Sequence, residues 1–480
     1  MPATSPPGTT SRSDSPAFSA LSTVLPAVEA RAAIPLGFVA GATAVGIKAS
    51  GRPDLAVIAT TRGPDGRRPA AAAAVFTPNA FAAAPVRLSQ AHLADSRRTE
   101  AGRLGLEGDD SGWSDGIVVT SGCANAATGT AGDEDQAAVA EALATALETR
   151  RDRTLVMSTG VIGVRLPLDL VLPGIAALVG QGLSGEDRDL EAVAIAMRTT
   201  DSRTKAATVG LELPDADGRP VPIRVTGIAK GVGMIHPRMA TMLALILTDA
   251  AVSPTLLRSI LRPVAARTWN QLTIDGDTST NDTAFLLASG AAGAAPVADR
   301  SPEVAALGRA VEAVARDLAR QQAADGEGAT TLITCQVEEA TDDADARAIA
   351  RAVVASSLVK AAVHGRDPNW GRIVAAAGNA RLADAEVLHA AGLQFAEAAD
   401  RAGRPAALDP TRLQVAIAGT PVFDGSADRP LPFDREAVRA AMDAPEVVIN
   451  LALGLGSGAG EAFGCDLTEE YVRENAEYTT

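Results

Sequence analysis

Short runs of small and β-branched residues, bounded by Gly, Pro or Asp, alternate in this chain with longer stretches whose apolar residues recur every three or four positions. The runs Asp54–Thr61, Gly116–Thr120, Thr154–Ser158 and Pro222–Thr226 read as strands, as do Leu332–Glu338, Gln414–Ala418 and Val447–Leu453. The stretches Asp133–Thr149, Glu186–Met197, Pro254–Trp269, Pro302–Gln322 and Asp343–Lys360 read as helices, several opening on Asp, Ser or Pro at the cap or first turn. The alternation predicts an α/β chain with helices layered on sheets. At 480 residues and 47% hydrophobic side chains, the chain can bury two or three packed units. Strand order and direction are not legible at this level.

Charge and composition exclude several classes of function. Lys and Arg number 43 against 58 Asp and Glu, a net −15, and no basic stripe offsets it, which argues against a nucleic-acid partner. The apolar runs Met242–Leu247 and Val447–Leu453 fall far short of the roughly 20 residues of a membrane span. Cys123, Cys335 and Cys465 are odd in number and far apart, which fits a reducing, cytoplasmic setting better than a disulfide framework. The four histidines show no metal-ligand spacing, so no metal is expected. Residues 1–30, rich in Ser, Thr, Pro and Ala, read as a disordered tail. The charged, Gly-rich segment Arg97–Trp113 reads as a surface insertion, and Pro214–Arg219 as a hairpin turn.

The chemistry concentrates in Lys230–Ala250, KGVGMIHPRMATMLALILTDA, where a loop with two glycines and a proline gives way to an apolar run just after Ala240–Thr241. Attack by the Thr241 hydroxyl on the Ala240 carbonyl, followed by hydrolysis, would free Thr241 as a new N-terminus. Its hydroxyl would then sit beside its own α-amine, whose reference pKa of about 7.7–8.0 suits a base near neutrality. Taken alone, Thr241 fits the plain start of a strand far better, because β-branched residues favour strands.

The whole string resembles the self-cleavage segment of the ornithine acetyltransferase family, usually KG(S/A)GMI-x-P-x-MATML. The resemblance covers almost all of the chain past the tail. It includes GIKASGRPDLAVI, SGCANAATG, STGVIGVRLP, DGDTSTNDT, DGEGAT, GRDPNWGRIVAAAGNA and CDLTEEYVRENAEYTT, in order. It implies a layered α/β/β/α sandwich cleaved into an α chain, 31–240, and a β chain, 241–480, commonly assembled as an α2β2 heterotetramer. It also implies Thr241 as nucleophile, cleavage between Ala240 and Thr241, and Thr159 and Gly160 as the oxyanion hole. Thr199, Lys230, Thr241, Glu327, Asn475 and Thr480 match the positions at which the family holds its substrate. Asp275, Asp277 and Asp282 in DGDTSTND carry no metal in the family and read as turn and cap residues, with Asn281 and Asp282 starting a helix.

The implied reaction is ping-pong transfer of acetyl from N-acetylornithine to glutamate, giving ornithine and N-acetylglutamate in arginine biosynthesis without a cofactor. Some members also take acetyl-CoA as donor. The alternatives are a paralogue acting on another acylated amino acid, and an N-terminal-nucleophile amidase or aminopeptidase in which water resolves the acyl-threonine. This sequence departs from the pattern at Val232, where Ser or Ala is common, at Thr331, where Lys usually follows GAT, at Ser202–Thr204, and at Cys123. His236 falls at a variable place and reads as an accessory or surface residue rather than a base.

Overall fold

Alternation of side chains along each strand builds three main sheets in the computed structural model, which describes residues 25–101, 110–236, 242–427 and 430–476. The first has four strands, β1 (Phe38–Thr43), β2 (Leu55–Thr60), β7 (Gly116–Cys123) and β8 (Thr154–Val161), in that order. The second runs β6 (Ser111–Ser114), β5 (Ala70–Phe76), β13 (Thr283–Ala288), β11 (Leu243–Thr248), β10 (Pro220–Lys230), β9 (Lys205–Pro214). The third runs β12 (Leu272–Thr273), β18 (Gly458–Cys465), β14 (Leu332–Ala340), β17 (Glu446–Ala452), β15 (Gln414–Ile417), β16 (Thr420–Asp424). A two-residue pair, β3 (Arg62–Gly63) with β4 (Gly66–Arg67), forms a small hairpin.

The period of two sorts apolar residues onto opposite faces. In the first sheet Leu55, Val57, Val118 and Val156 pack against α2 (Gly129–Leu147) and α3 (Leu168–Gln181), whereas Ile58, Ile117, Val119 and Met157 point the other way. In the second sheet Ala73, Val75, Ile246 and Leu286 meet α5 (Pro254–Arg267) and α6 (Pro302–Ala323). Its other face, with Phe76, Leu245 and Phe285, joins the inner face of the first sheet in one core. The helices α1 (Ala84–Ala101) and α4 (Asp187–Met197) complete that shared core. The succession is therefore α/β/β/α. The third sheet packs one face on α7 (Asp343–Ala355), α8 (Ser357–His364) and α9 (Trp370–Gly378). On its other face Phe463 lies under the Arg316 and Arg320 guanidiniums of α6. The helices α10 (Ala385–Ala390) and α11 (Phe395–Arg401) pack on each other near α7, and α12 (Arg435–Ala441) and α13 (Glu469–Ala476) follow.

All seven predicted strands and four of the five predicted helices are present, with shifted ends. Four expectations need correction. Asn281 and Asp282 open strand β13, not a helix, because the TAFLLA that follows is paired on both sides, by β5 and β11, and fully buried. The stretch Asp343–Lys360 is two helices, since Ser356 adopts extended geometry and its side chain accepts from the Val359 N–H as the cap of α8. Arg97–Trp113 is not a surface insertion throughout: α1 runs to Ala101 and Ser111–Ser114 pairs with β5, while 102–109 lies outside the described residues. Of the expected tail, residues 25–30 are anchored, Glu29 bridging to Thr208 and Leu25 and Val28 packing on the core. Residues 1–24 lie outside the described residues. Pro214–Arg219 does turn between β9 and β10, with the Asp215 carboxylate accepting from the Asp217 and Arg219 N–H groups. Among the described residues no helix is long and apolar enough to cross a membrane.

Candidate active site

Residues from both halves of the chain meet where β8 and β10 end and β11 begins. Thr159, Gly160, Thr199, Lys230, Glu327 and Asn475 line one cavity of about 360 Å³. Gly231, Gly233 and Met234 line it from one side of segment 237–241 in the chain, and Met242 and Leu243 from the other. Ala240, Thr241 and Thr480 lie outside the described residues.

Each wall follows from local sequence. Thr159 and Gly160 end β8, parallel to β7, and Gly160 has φ +133°, where an added Cβ would lie 2.3 Å from the Gly122 carbonyl carbon. A side chain at 160 is therefore excluded. Lys230 ends β10, and its buried Nζ donates to Thr159 Oγ1 at 3.2 Å. That bond occupies an oxygen lone pair and leaves the Thr159 hydroxyl hydrogen free to donate elsewhere. Burial lowers the pKa of Lys230, with the charge of Asp201 opposing the fall. The Glu327 carboxylate accepts from Thr200 Oγ1 at 2.8 Å and Asn475 Nδ2 at 2.9 Å, so α13 is fastened to the cavity. Gly233 leaves room for it, since a Cβ there would fall 2.2 Å from Glu327 Oε2.

Beneath the cavity lies a buried charge cluster that the motif reading did not single out. Lys205 Nζ, fully buried, donates to Asp201 Oδ1 at 2.7 Å and Asp325 Oδ2 at 2.6 Å. Asp201 also accepts from the N–H groups of Gly231 at 2.8 Å and Thr199 at 3.2 Å, so it holds two cavity loops at once. Burial would raise its pKa, but the charges of Lys230 and Lys205 with the Lys205 hydrogen bond bring it down to about 2. The available signal was the spacing of Asp201 and Lys205, opposite charges four apart in a stretch flagged only for departing from the family string.

Asp275 behaves as the sequence suggests, accepting from the N–H groups of Met234, Ile235 and Asp277 and so shaping the loop that leads to residue 237. The Asn281 amide donates to the carbonyls of Ala124 at 2.6 Å and Ser158 at 2.8 Å, tying the 279–282 loop to β8. His236 is part-buried, and its Nδ1 lies 2.9 Å from Thr273 Oγ1. It does not line this cavity. In DPNWGR, Asn369 caps α9 and Asp367 takes Arg435, which makes the motif a structural tie.

A cation, hydroxyl and amide donors and a carboxylate around a small cavity suit recognition of an amino acid, and the half-buried Thr159 hydroxyl beside Gly160 suits stabilisation of an oxyanion. The ArgJ family model matches residues 39–480. The arginine biosynthesis bifunctional protein ArgJ of Thermus thermophilus is 43% identical over 447 residues, covering 93% of this chain and 99% of the relative. The chloroplastic ArgJ of Oryza sativa subsp. japonica is 39% identical, covering 92% and 86%. The crystal structure of ArgJ from Bacillus halodurans shares 36% identity, covering 49% of this chain and 99% of that one with a TM-score of 0.42. That of ornithine acetyltransferase from Mycobacterium tuberculosis complexed with ornithine shares 37%, covering 45% and 99% with a TM-score of 0.36. The chain belongs to the ArgJ family.

Proposed function

We propose that this member of the family cuts itself between Ala240 and Thr241 and transfers acetyl through the freed Thr241. The chain is an acyltransferase of arginine biosynthesis, an ornithine acetyltransferase acting on small molecules. In the cycle, the Thr241 hydroxyl attacks the acetyl carbonyl of N-acetyl-L-ornithine while its α-amine takes the hydroxyl proton. The tetrahedral oxyanion is held by the Thr159 hydroxyl and the Gly160 N–H. Collapse breaks the amide bond, and the proton passes to the departing amine of ornithine. Glutamate then enters as a free amine, attacks the acetyl-threonine ester, and leaves as N-acetyl-L-glutamate with Thr241 regenerated. An amide is exchanged for an amide, so the residues need no cofactor; acetyl-CoA as second donor would load the same threonine.

The observation that carries this reading is convergence. Thr159, Gly160, Thr199, Lys230, Glu327 and Asn475 are separated by up to 316 positions, yet they line one cavity bounded by the chain on both sides of segment 237–241. The proposed α chain 31–240 and β chain 241–480 would stay joined through the β10–β11 pairing, which crosses the cut. The reading includes a cytoplasmic location and an α2β2 assembly.

The test is incubation with N-acetyl-L-ornithine and labelled L-glutamate, followed by product analysis. N-acetyl-L-glutamate is expected; free acetate without it would point to an amidase, and inertness toward N-acetyl-L-ornithine to a paralogue with another substrate. Thr159→Val, which keeps the shape and removes the hydroxyl, is expected to lower kcat by about 10²–10³-fold, the usual cost of one oxyanion donor. A KM effect with kcat unchanged would remove Thr159 from that role.

A further inference from the structure

Asp282 is 1% exposed and its Oδ2 has no hydrogen-bond partner, yet it lines the same cavity as Thr159 and Lys230. Its backbone is fixed on both sides. The Asp282 carbonyl accepts from the Thr77 N–H at 2.9 Å, and neighbouring Asn281 is fastened to Ala124 and Ser158. A buried oxygen without a partner is rare in folded proteins unless something else completes it.

The cavity's charges indicate what that is. Among the described residues its cation is Lys230, and its other carboxyl, Glu327, already accepts from Thr200 and Asn475. An ionised Asp282 would cancel the attraction of Lys230 for an anionic ligand, whereas a neutral one adds a donor beside it. Resting on the acetyltransferase reading, we propose that Asp282 is a substrate-binding residue, a neutral carboxylic acid whose Oδ2 hydroxyl donates to the α-carboxylate common to N-acetylornithine and glutamate. The electrostatics agree. Burial pushes the pKa of Asp282 well above the carboxylate range, against the Ser279 hydrogen bonds and the charge of Lys230 on β10, and with Asp275 on its own loop adding to the rise.

The sign of the pH dependence follows. Binding is strongest while Asp282 is protonated and weakens as rising pH ionises it. Infrared difference spectra of wild type against Asp282→Asn at pH 7 should show the carbonyl band of a protonated acid. L-ornithine should shift that band, and 1,4-diaminobutane, which lacks the carboxylate, should not. In steady state, kcat/KM for N-acetyl-L-ornithine should fall on the alkaline side in the wild type, and Asp282→Asn should lose the Asp282 part of that fall, keeping only the part set by deprotonation of Lys230. The amide, which keeps a donor, should raise KM by roughly tenfold, and Asp282→Leu by roughly a hundredfold. Carboxylate bands at pH 7, a band indifferent to L-ornithine, or an unchanged alkaline limb in Asp282→Asn would each overturn the assignment. Wild type that makes N-acetyl-L-glutamate without the acid band sinks Asp282 alone; an ornithine-sensitive band without acetyl transfer sinks the proposed reaction alone.

Discussion

Thr241→Ala is expected to remain a single uncut chain and to lose acetyl transfer from N-acetyl-L-ornithine by on the order of 10⁴-fold or more, the scale on which removing a nucleophile acts when the rest of a site survives. The substitution deletes two functions together, the hydroxyl that would attack the Ala240 carbonyl and the α-amine that appears only after the cut. Binding should persist, because Lys230, Glu327 and Asn475 line the cavity independently of residue 241. Intact-mass analysis of wild type beside the variant separates the cases. Two wild-type fragments meeting at Ala240/Thr241, absent in Thr241→Ala, together with retained L-ornithine binding in the variant, are the expected result. A wild type that purifies as one active chain would eliminate the terminal-threonine mechanism. Thr241→Ser provides the control, since it keeps a hydroxyl and should cut slowly.

Lys205→Met is expected to destabilise the fold by about 3–5 kcal/mol, the cost of removing one member of a buried ion cluster. Lys205 is fully buried between Asp201 and Asp325, whose side chains are 0% and 5% exposed, so its loss leaves two buried carboxylates facing each other without the charge between them. Methionine fills much of the same volume, which makes the electrostatic part the measured one. In the wild type the Asp201 pKa falls from its ordinary 3.8 to about 2. A depressed acid stabilises the fold above its unfolded pKa and loses that contribution as pH falls through the folded one. The shift is worth about 2 kcal/mol, present above roughly pH 4 and gone below about pH 2. In Lys205→Met the acid limb should begin at higher pH. Denaturant unfolding at pH 7 and pH 4 reads both effects; a loss under 1 kcal/mol at pH 7 would show that solvent or rearrangement compensates Asp201. Because Asp201 holds the Gly231 and Thr199 N–H groups, KM for N-acetyl-L-ornithine should rise as well.

Much of the candidate site is legible without coordinates, because the strings that carry it resemble, in order and spacing, those of a known family. Thr159, Gly160, Lys230 and Glu327 were all readable this way, and the structure brings them together. Asp282 was not. Within DGDTSTND its three acids look alike, and periodicity could not tell whether Asn281 and Asp282 cap a helix or open a strand. The TAFLLA that follows is short and apolar throughout, a pattern shared by buried helix and buried strand. Pairing with β5 and β11 decided it, and burial between those strands leaves Asp282 with an unpaired oxygen while Asp275 serves as a turn.

Local pattern determined the class of fold, the positions of most elements and the chemical types at the site, since side-chain period, capping and turn chemistry are set by residues a few positions apart. Strand order, the sharing of one core by two sheets and the break at Ser356 came only with the tertiary structure. So did the Asp201–Lys205–Asp325 cluster and the convergence of Thr159 with Glu327 and Asn475. Apart from the break at Ser356, which rests on a local cap, they depend on contacts between residues distant in sequence, such as Lys205 with Asp325, whose energies come from burial and from charges removed from water, quantities that no local window of sequence contains.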